Sequence, residues 1–172
     1  RTMQGGDGTD KSVYWCSDAS KWYLGLHSWY GATSGDNFYK DNSTTPINFT
    51  LRGDLVNSTM TAFTVNYTRG SSISFIGSVV DDCSTSQIDQ TKFGLVFRMV
   101  RGGIAYGNCT TPTNSYTCSI TTDSSFPYGN YNITMVSFGR GSEAGNYWNG
   151  TRNVTSAFFL RSDILLDAAQ KL

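Results

Sequence analysis

The chain of 172 residues has the length of one domain, and its 13 basic and 13 acidic residues leave a net charge of zero. That balance argues against a nucleic-acid binder, which needs a basic surplus for phosphate contacts. Aromatic residues make up 14% of the chain, which argues against disorder. No apolar run approaches the roughly 20 residues of a membrane-spanning helix.

The N-terminal part of the chain divides into a polar segment and an aromatic one. Residues 1–12 are polar and glycine-rich, and they predict a flexible or exchangeable arm at the start of a single domain, 1–172. Within 14–30, we expect Trp15 and Trp29 in the core, because tryptophan is usually largely buried. The candidates for exposed aromatic binding residues are Trp22, Tyr23 and Tyr30.

From residue 47 onwards, apolar and polar residues alternate in short segments that are separated by turn-forming residues. A period of two predicts strands with one buried and one solvent-facing side. The segments are 47–52, 63–68, 73–80, 93–100, 116–120, 131–135 and 157–160. Their number and spacing predict an all-β fold, a disulfide-stapled antiparallel β-sandwich that is immunoglobulin-like or jelly-roll-like. Ser162 and the helix formers after it predict a short C-terminal helix over 162–172.

Eight asparagines stand in glycosylation sequons, all with threonine at the third position, and this density indicates a secreted or surface-displayed chain. Three of them, Asn48, Asn66 and Asn132, fall at polar positions of alternating segments. We therefore expect these three to face solvent and the adjacent Phe49, Tyr67 and Ile133 to point inward. The full set is Asn42, Asn48, Asn57, Asn66, Asn108, Asn132, Asn149 and Asn153.

Four cysteines in a sequon-rich chain predict two disulfides. Cys109 and Cys118 flank a short turn-rich segment, which favours a local bridge that closes a hairpin. Cys16 and Cys83 then form the long-range bridge. Zinc ligation is disfavoured because the cysteines lack the short spacing of zinc sites and the chain has one histidine. We predict no metal and no cofactor.

The residues available for catalysis are few. His27 is the single histidine and Glu143 the single glutamate, and no motif supplies either with a catalytic partner. The adjacent Asp81 and Asp82 would point to opposite faces of a strand, so they would not converge as a glycosidase pair. We therefore expect the protein not to be an enzyme.

One tripeptide is a candidate binding motif. Arg52, Gly53 and Asp54 resemble the integrin-recognition sequence, and they directly follow an alternating segment, so a turn tip is one interpretation. The sequons at Asn48 and Asn57 would crowd that turn with glycan.

Short stretches resemble immunoglobulin domains. Cys16 precedes Trp29 by thirteen residues, similar to their first cysteine and core tryptophan, and Tyr116 stands two residues before Cys118. Asp81, not tyrosine, stands two residues before Cys83. The stretch from Pro127 to Ile133 resembles the turn that enters a strand in extracellular β-sandwiches. These matches are short, and no family is assigned from them.

The sequence thus predicts an N-glycosylated binding or adhesion domain, secreted or on an extracellular surface. Its partner would be a protein or carbohydrate ligand, or a second copy of the chain, with no nucleic acid and no membrane span. An alternative is a structural subunit of an extracellular coat, cell wall or fibre. A carbohydrate-active protein is a third and weaker alternative.

Overall fold

The computed structural model describes residues 24–35, 37–60, 63, 66–82 and 87–162. This part of the chain folds into thirteen strands and one short 3-10 helix, with no α-helix, so the all-β prediction is confirmed. The predicted N-terminal arm 1–12, and the C-terminal helix beyond Ser162, lie outside the described residues. Ser162 itself follows the last strand without being helical.

The strands form two main sheets and a separate ribbon. They are β1 Gly25–Trp29, β2 Ala32–Thr33, β3 Asn42–Ser43, β4 Ile47–Leu51, β5 Gly53–Met60, β6 Asn66–Thr68, β7 Ser72–Asp81, β8 Phe93–Arg101, β9 Ile104–Thr110, β10 Thr117–Thr121, β11 Gly129–Gly139, β12 Tyr147–Trp148 and β13 Thr151–Arg161, with the 3-10 helix at Gly141–Gly145. One sheet has the order β10-β7-β5-β12 and the other β6-β13-β11-β8-β9. In the ribbon, β1 pairs with β4 and β2 with β3.

A single core lies between the inward side chains of the two main sheets. In β7 the alternating Ile73, Phe75 and Val79 are buried, and their neighbours face solvent. The ring of Phe75 stacks on that of Phe97 in the other sheet, with centroids 5.4 Å apart. β8 is a central strand between β9 and β11, as its continuous apolar run predicts, and Arg98 is its one exposed side chain. Burial of each such large apolar side chain contributes about 1.5–3 kcal/mol.

Most strand pairs are antiparallel, but two short ones are not. β12 pairs with β5 in parallel, and β6 pairs with β13 in parallel, so the purely antiparallel prediction is wrong at these two edges. The turn between β8 and β9 is formed by Gly102 and Gly103, both with positive φ. Two glycines of this conformation give the turn whose twist matches that of a two-stranded hairpin.

The disulfide between Cys109 and Cys118 is confirmed, with a Cα–Cα distance of 6.0 Å. It does not close a hairpin, because Cys109 lies in β9 of the five-stranded sheet and Cys118 in β10 of the four-stranded sheet. The bridge therefore ties the edges of the two sheets together. The predicted bridge between Cys16 and Cys83 lies outside the described residues.

The predicted inward faces hold in the main sheets and fail in the ribbon. Ile133 is fully buried and Tyr67 packs against the core. Phe49 is 39% exposed, and Trp29, which we expected in the core, is 48% exposed. Both predictions are wrong for the same reason. Their strands pair only with each other in the ribbon, so neither sheet covers their apolar sides.

Candidate binding surfaces

The aromatic ribbon, β1 to β4 with their connections, has two chemically different faces. Facing residues of paired strands share a side, which places His27 and Phe49 together and Trp29 beside Ile47. The rings of His27 and Phe49 stack with centroids 5.5 Å apart. None of the ribbon's residues belongs to the core cluster of the described chain. Its apolar face is therefore exposed on a two-stranded element.

The opposite side of β1 and β4 carries the sequon asparagine Asn48, together with the exposed Leu26. A second sequon asparagine of the ribbon, Asn42, is exposed in β3. Asn48 pairs with Ser28, whose hydroxyl donates to the Asn48 Oδ1 at 2.6 Å, and both side chains are exposed. Successive strand residues point to opposite sides, so a glycan on Asn48 leaves the side of Trp29 and Phe49 uncovered. Tyr30, a predicted binding residue, is exposed directly after β1. Trp22 and Tyr23 lie outside the described residues.

Four sequon asparagines lie on the outer side of the five-stranded sheet. Strand pairing aligns Asn153, Thr134, Arg98 and Asn108 in one row across four strands. Asn132 is exposed two residues from that row, on the same side of β11. The fourth, Asn66, pairs with the exposed Phe159 at the far edge of the sheet. We call this surface the sequon face.

The outer side of the four-stranded sheet carries none of the eight sequon asparagines. We call it the sequon-free face. Val56 pairs with Val80 on it, and small hydroxyl side chains occupy most of the remaining positions. Within strands β5, β7 and β10 its outward residues are Asp54, Val56, Ser58, Thr59, Ser72, Ser74, Ile76, Ser78, Val80, Thr117, Ser119 and Thr121. Asp54, at the end nearest the ribbon, is the only charged residue in this set.

Asn57 is the one sequon asparagine that the structure buries, with 9% of its surface exposed. Asn57 stands two residues after the buried Leu55, so the regular alternation of β5 points it inward, and the bulge follows only after it. Its Nδ2 donates to the Met135 carbonyl in the opposite sheet at 3.0 Å. Its Oδ1 is buried and has no hydrogen-bond partner among the described residues. This side chain thus joins the two sheets, and the described fold leaves no path for a glycan at this nitrogen.

The integrin-like tripeptide does not lie at a turn tip. Gly53 is buried at the start of β5, where its N–H donates to the Asn146 carbonyl at 3.0 Å. Arg52 and Asp54 are exposed on either side of it, and the Arg52 guanidinium lies 4.7 Å from the ring centre of Trp148. Trp148 is 59% exposed. The sequence did not single it out, because the pair Tyr147 and Trp148 lies far from the aromatic segment 14–30 and in no alternating run.

Tyr147, in β12, is partly buried and packs against the core. Its ring packs edge-on against Phe93, with centroids 4.9 Å apart. Burial raises the pKa of its hydroxyl to about 12, and the nearby carboxylates of Asp81, Glu143 and Asp82 act in the same direction. The hydroxyl is therefore neutral at physiological pH and acts as a hydrogen-bond donor within an acidic surrounding.

The two residues considered for catalysis lie on different elements. His27 is in β1 of the ribbon, and Glu143 is in the 3-10 helix, where its Oε2 accepts a hydrogen bond from the Asn146 Nδ2 at 3.3 Å. Asp81 ends β7, and the backbone N–H of Asp82 donates to the Asp54 carbonyl. Within the described ranges, no cluster of three His, Cys, Asp or Glu is arranged to hold a metal ion. Over the same ranges, no helix is long and apolar enough to cross a membrane.

Comparison with known proteins gives no family for this chain. No family model matches it, and no curated protein matches it in sequence. The surfaces described above are therefore the basis for any assignment of function.

The burial of Asn57 makes glycan occupancy a sharp test of the fold. We expect the exposed Asn48, Asn66 and Asn132 to carry glycans in protein from a secretory host, and Asn57 to carry none. Glycopeptide mass spectrometry of the folded, secreted protein measures each site directly. Full occupancy of Asn57 would contradict the inward orientation of this side chain, and empty sites at the other three would contradict the solvent-facing assignment.

Proposed function

We propose that the chain is an extracellular, N-glycosylated binding or adhesion domain with an immunoglobulin-like β-sandwich, and that its partner docks on the apolar face of the aromatic ribbon. The observation that carries the proposal is the division of the ribbon into a sequon side at Asn48 and an exposed apolar side at Trp29, Ile47 and Phe49. Exposed aromatic side chains are frequent anchors in protein interfaces and stack on sugars.

Strand order supports the immunoglobulin-like type. The orders β10-β7-β5 and β13-β11-β8-β9 correspond to strands E-B-A and G-F-C-C′ of that fold. Tyr131 begins the strand equivalent to F, and its hydroxyl donates to the Pro127 carbonyl at 2.7 Å, as in the tyrosine corner of those domains. Apolar Ile133 stands two residues later, where immunoglobulin domains have a cysteine.

An extracellular location is supported by two independent features. The disulfide between Cys109 and Cys118 is typical of oxidising compartments. Seven of the eight sequon asparagines are exposed, as glycosylation requires. The alternative of a structural subunit in an extracellular coat, wall or fibre is favoured by one observation, the sequon-free face, which is broad enough for a neighbouring molecule.

The test compares two phenylalanines of equal exposure on different surfaces. Phe49 on the ribbon is 39% exposed and Phe159 on the sequon face is 40% exposed. Fluorescent multimers of the secreted protein are incubated with cells and with immobilised polysaccharides. We expect Phe49→Ser to weaken adhesion and Phe159→Ser to leave it unchanged. Trp29→Ser should weaken it on the order of 30-fold, the effect of losing one interface hot spot.

Two outcomes would contradict the proposal. One is an equal loss of adhesion in Phe49→Ser and Phe159→Ser, which would place the contact away from the ribbon. The other is unchanged adhesion in Trp29→Ser. Secreted yield and thermal unfolding of each variant separate a lost contact from a lost fold.

A further inference from the structure

We infer that the sequon-free face is a contact surface for a second copy of this chain. The inference rests on the proposed glycoprotein character, because it depends on glycans that cover one sheet and not the other. It concerns a surface other than the ribbon and a partner other than the adhesion ligand.

The placement of the sequons is the first argument. Asn66, Asn108, Asn132 and Asn153 all lie on the five-stranded sheet, so glycans there would keep a neighbouring molecule away from that sheet. Most outward residues of β5, β7 and β10 in the four-stranded sheet are exposed, and none of them is a sequon asparagine. A protein surface can pack against strands β5, β7 and β10 of this sheet without meeting a glycan. Asn149 lies in the turn after β12, at the margin of the face.

The chemistry of the face selects a second copy as the occupant. Strands β7 and β10 present only serine, threonine, valine and isoleucine outward, so two copies meet without like charges. Hydroxyl groups both donate and accept hydrogen bonds, which makes a hydroxyl-lined surface complementary to itself. The charged pair Arg52 and Asp54 lies at one end and has no net charge. A strongly charged partner would find few opposite charges on this face.

Apolar side chains give the face its driving force. Val56 and Val80 are paired across β5 and β7, and Ile76 lies on the same side of β7, four residues before Val80. Trp148, at the end near the ribbon, is the largest exposed side chain beside this surface. Interfaces with a symmetric two-fold axis use the same patch twice, so each of these residues contributes two contacts.

The available area predicts a weak dimer. At about 3.3 Å per residue and about 4.8 Å between strands, the four strands cover roughly 400 Å², and the side chains on them expose more. Two copies then bury on the order of 1,000 Å², the lower limit for a specific interface. We therefore expect a dissociation constant in the micromolar range, about 1–100 μM.

One substitution places a glycan on this surface, on its edge strand β10. Ser119 is exposed in β10 opposite Ser74, and Ser119→Asn completes a sequon with Thr121 two residues later. Sedimentation velocity of the full, glycosylated chain over about 1–100 μM measures its mass. We expect the wild type to approach twice its monomer mass. Ser119→Asn should stay monomeric, because its dissociation constant should rise about tenfold or more. Ser119→Gln adds a similar side chain without a glycan and should dimerise like the wild type.

A second pair of variants covers the case in which the glycan disturbs folding. Val56→Asp places two carboxylates near each other across a two-fold contact and should weaken the dimer, whereas Val56→Thr has similar shape without charge and should not. Phe49→Ser, on the ribbon, should leave the mass unchanged, so a failure of the adhesion proposal remains distinct from a failure here. A wild type that stays monomeric up to about 100 μM would overturn the inference. Dimers that persist in both Ser119→Asn and Val56→Asp would overturn it as well.

Discussion

Replacing Tyr131 by alanine is expected to lower the free energy of unfolding by about 3–5 kcal/mol, the usual cost of truncating a buried aromatic residue. Its ring is fully buried and stacks on Phe158, with centroids 5.6 Å apart. Burial raises the pKa of its hydroxyl, which stays neutral and donates to the Pro127 carbonyl. Tyr131→Phe removes only this hydrogen bond and should cost about 1 kcal/mol.

Urea denaturation of both variants at an unchanged m-value measures these two costs. The neighbouring Tyr128 is exposed, and Tyr128→Phe is the control, expected within about 0.5 kcal/mol of the wild type. If Tyr131→Phe were as harmless as the control, the hydrogen bond to Pro127 would make no net contribution. The tyrosine corner would then no longer support the immunoglobulin-like assignment.

Asn57→Asp is expected to destabilise the fold by about 3 kcal/mol at neutral pH, because it places a carboxylate against the Met135 carbonyl and leaves that acceptor without its donor. The loss of stability is limited because the Arg152 Nη1 donates to the backbone carbonyl of Asn57 at 3.3 Å. A positive charge therefore lies close to the new carboxylate. Burial disfavours the charged carboxylate and so raises its pKa in the folded state. The variant should therefore recover stability as the pH falls and the carboxyl group is protonated.

The matched control for this variant is Asn153→Asp. Asn153 is exposed on the sequon face and also lies in a sequon, so both variants lose one sequon asparagine. Its change in unfolding free energy should stay within about 0.5 kcal/mol. Denaturation of both variants at neutral and mildly acidic pH gives the comparison. Equal stability of the two at neutral pH would contradict the role of Asn57 as a link between the sheets.

The sequence predicts strands well where the alternation is uninterrupted. β7 and β8 were predicted close to their observed bounds, because their apolar residues recur at every second position or fill the run completely. β5 was missed, since Gly53 and Asn57 are residue types typical of turns and surfaces. Here Gly53 is required by close packing, with the Tyr147 ring 3.0 Å from where a Cβ would lie, and Asn57 continues the inward alternation of Gly53 and Leu55.

The candidate surfaces were less predictable than the strands. Exposure of the sequon asparagines follows from their chemistry, and seven of the eight are exposed. Whether these asparagines lie on the same sheet depends on how strands far apart in sequence are ordered. The row from Asn153 to Asn108, for example, crosses four strands. Local alternation carries no information on that order. The exposure of Trp29 has the same origin, because burial of a strand face requires a second layer that the pattern cannot specify.

The separation of the aromatic ribbon from the core has a consequence for how this protein can change over generations. Within the described chain, the ribbon supplies no member of the core cluster, so substitutions at Trp29, Ile47 or Phe49 leave the packing of the two main sheets untouched. Most mutations that disable a protein do so by destabilising its fold. A contact surface that is exempt from this constraint is free to diversify. Selection on the partner can then reshape the ribbon quickly, while the sheets that carry it stay the same.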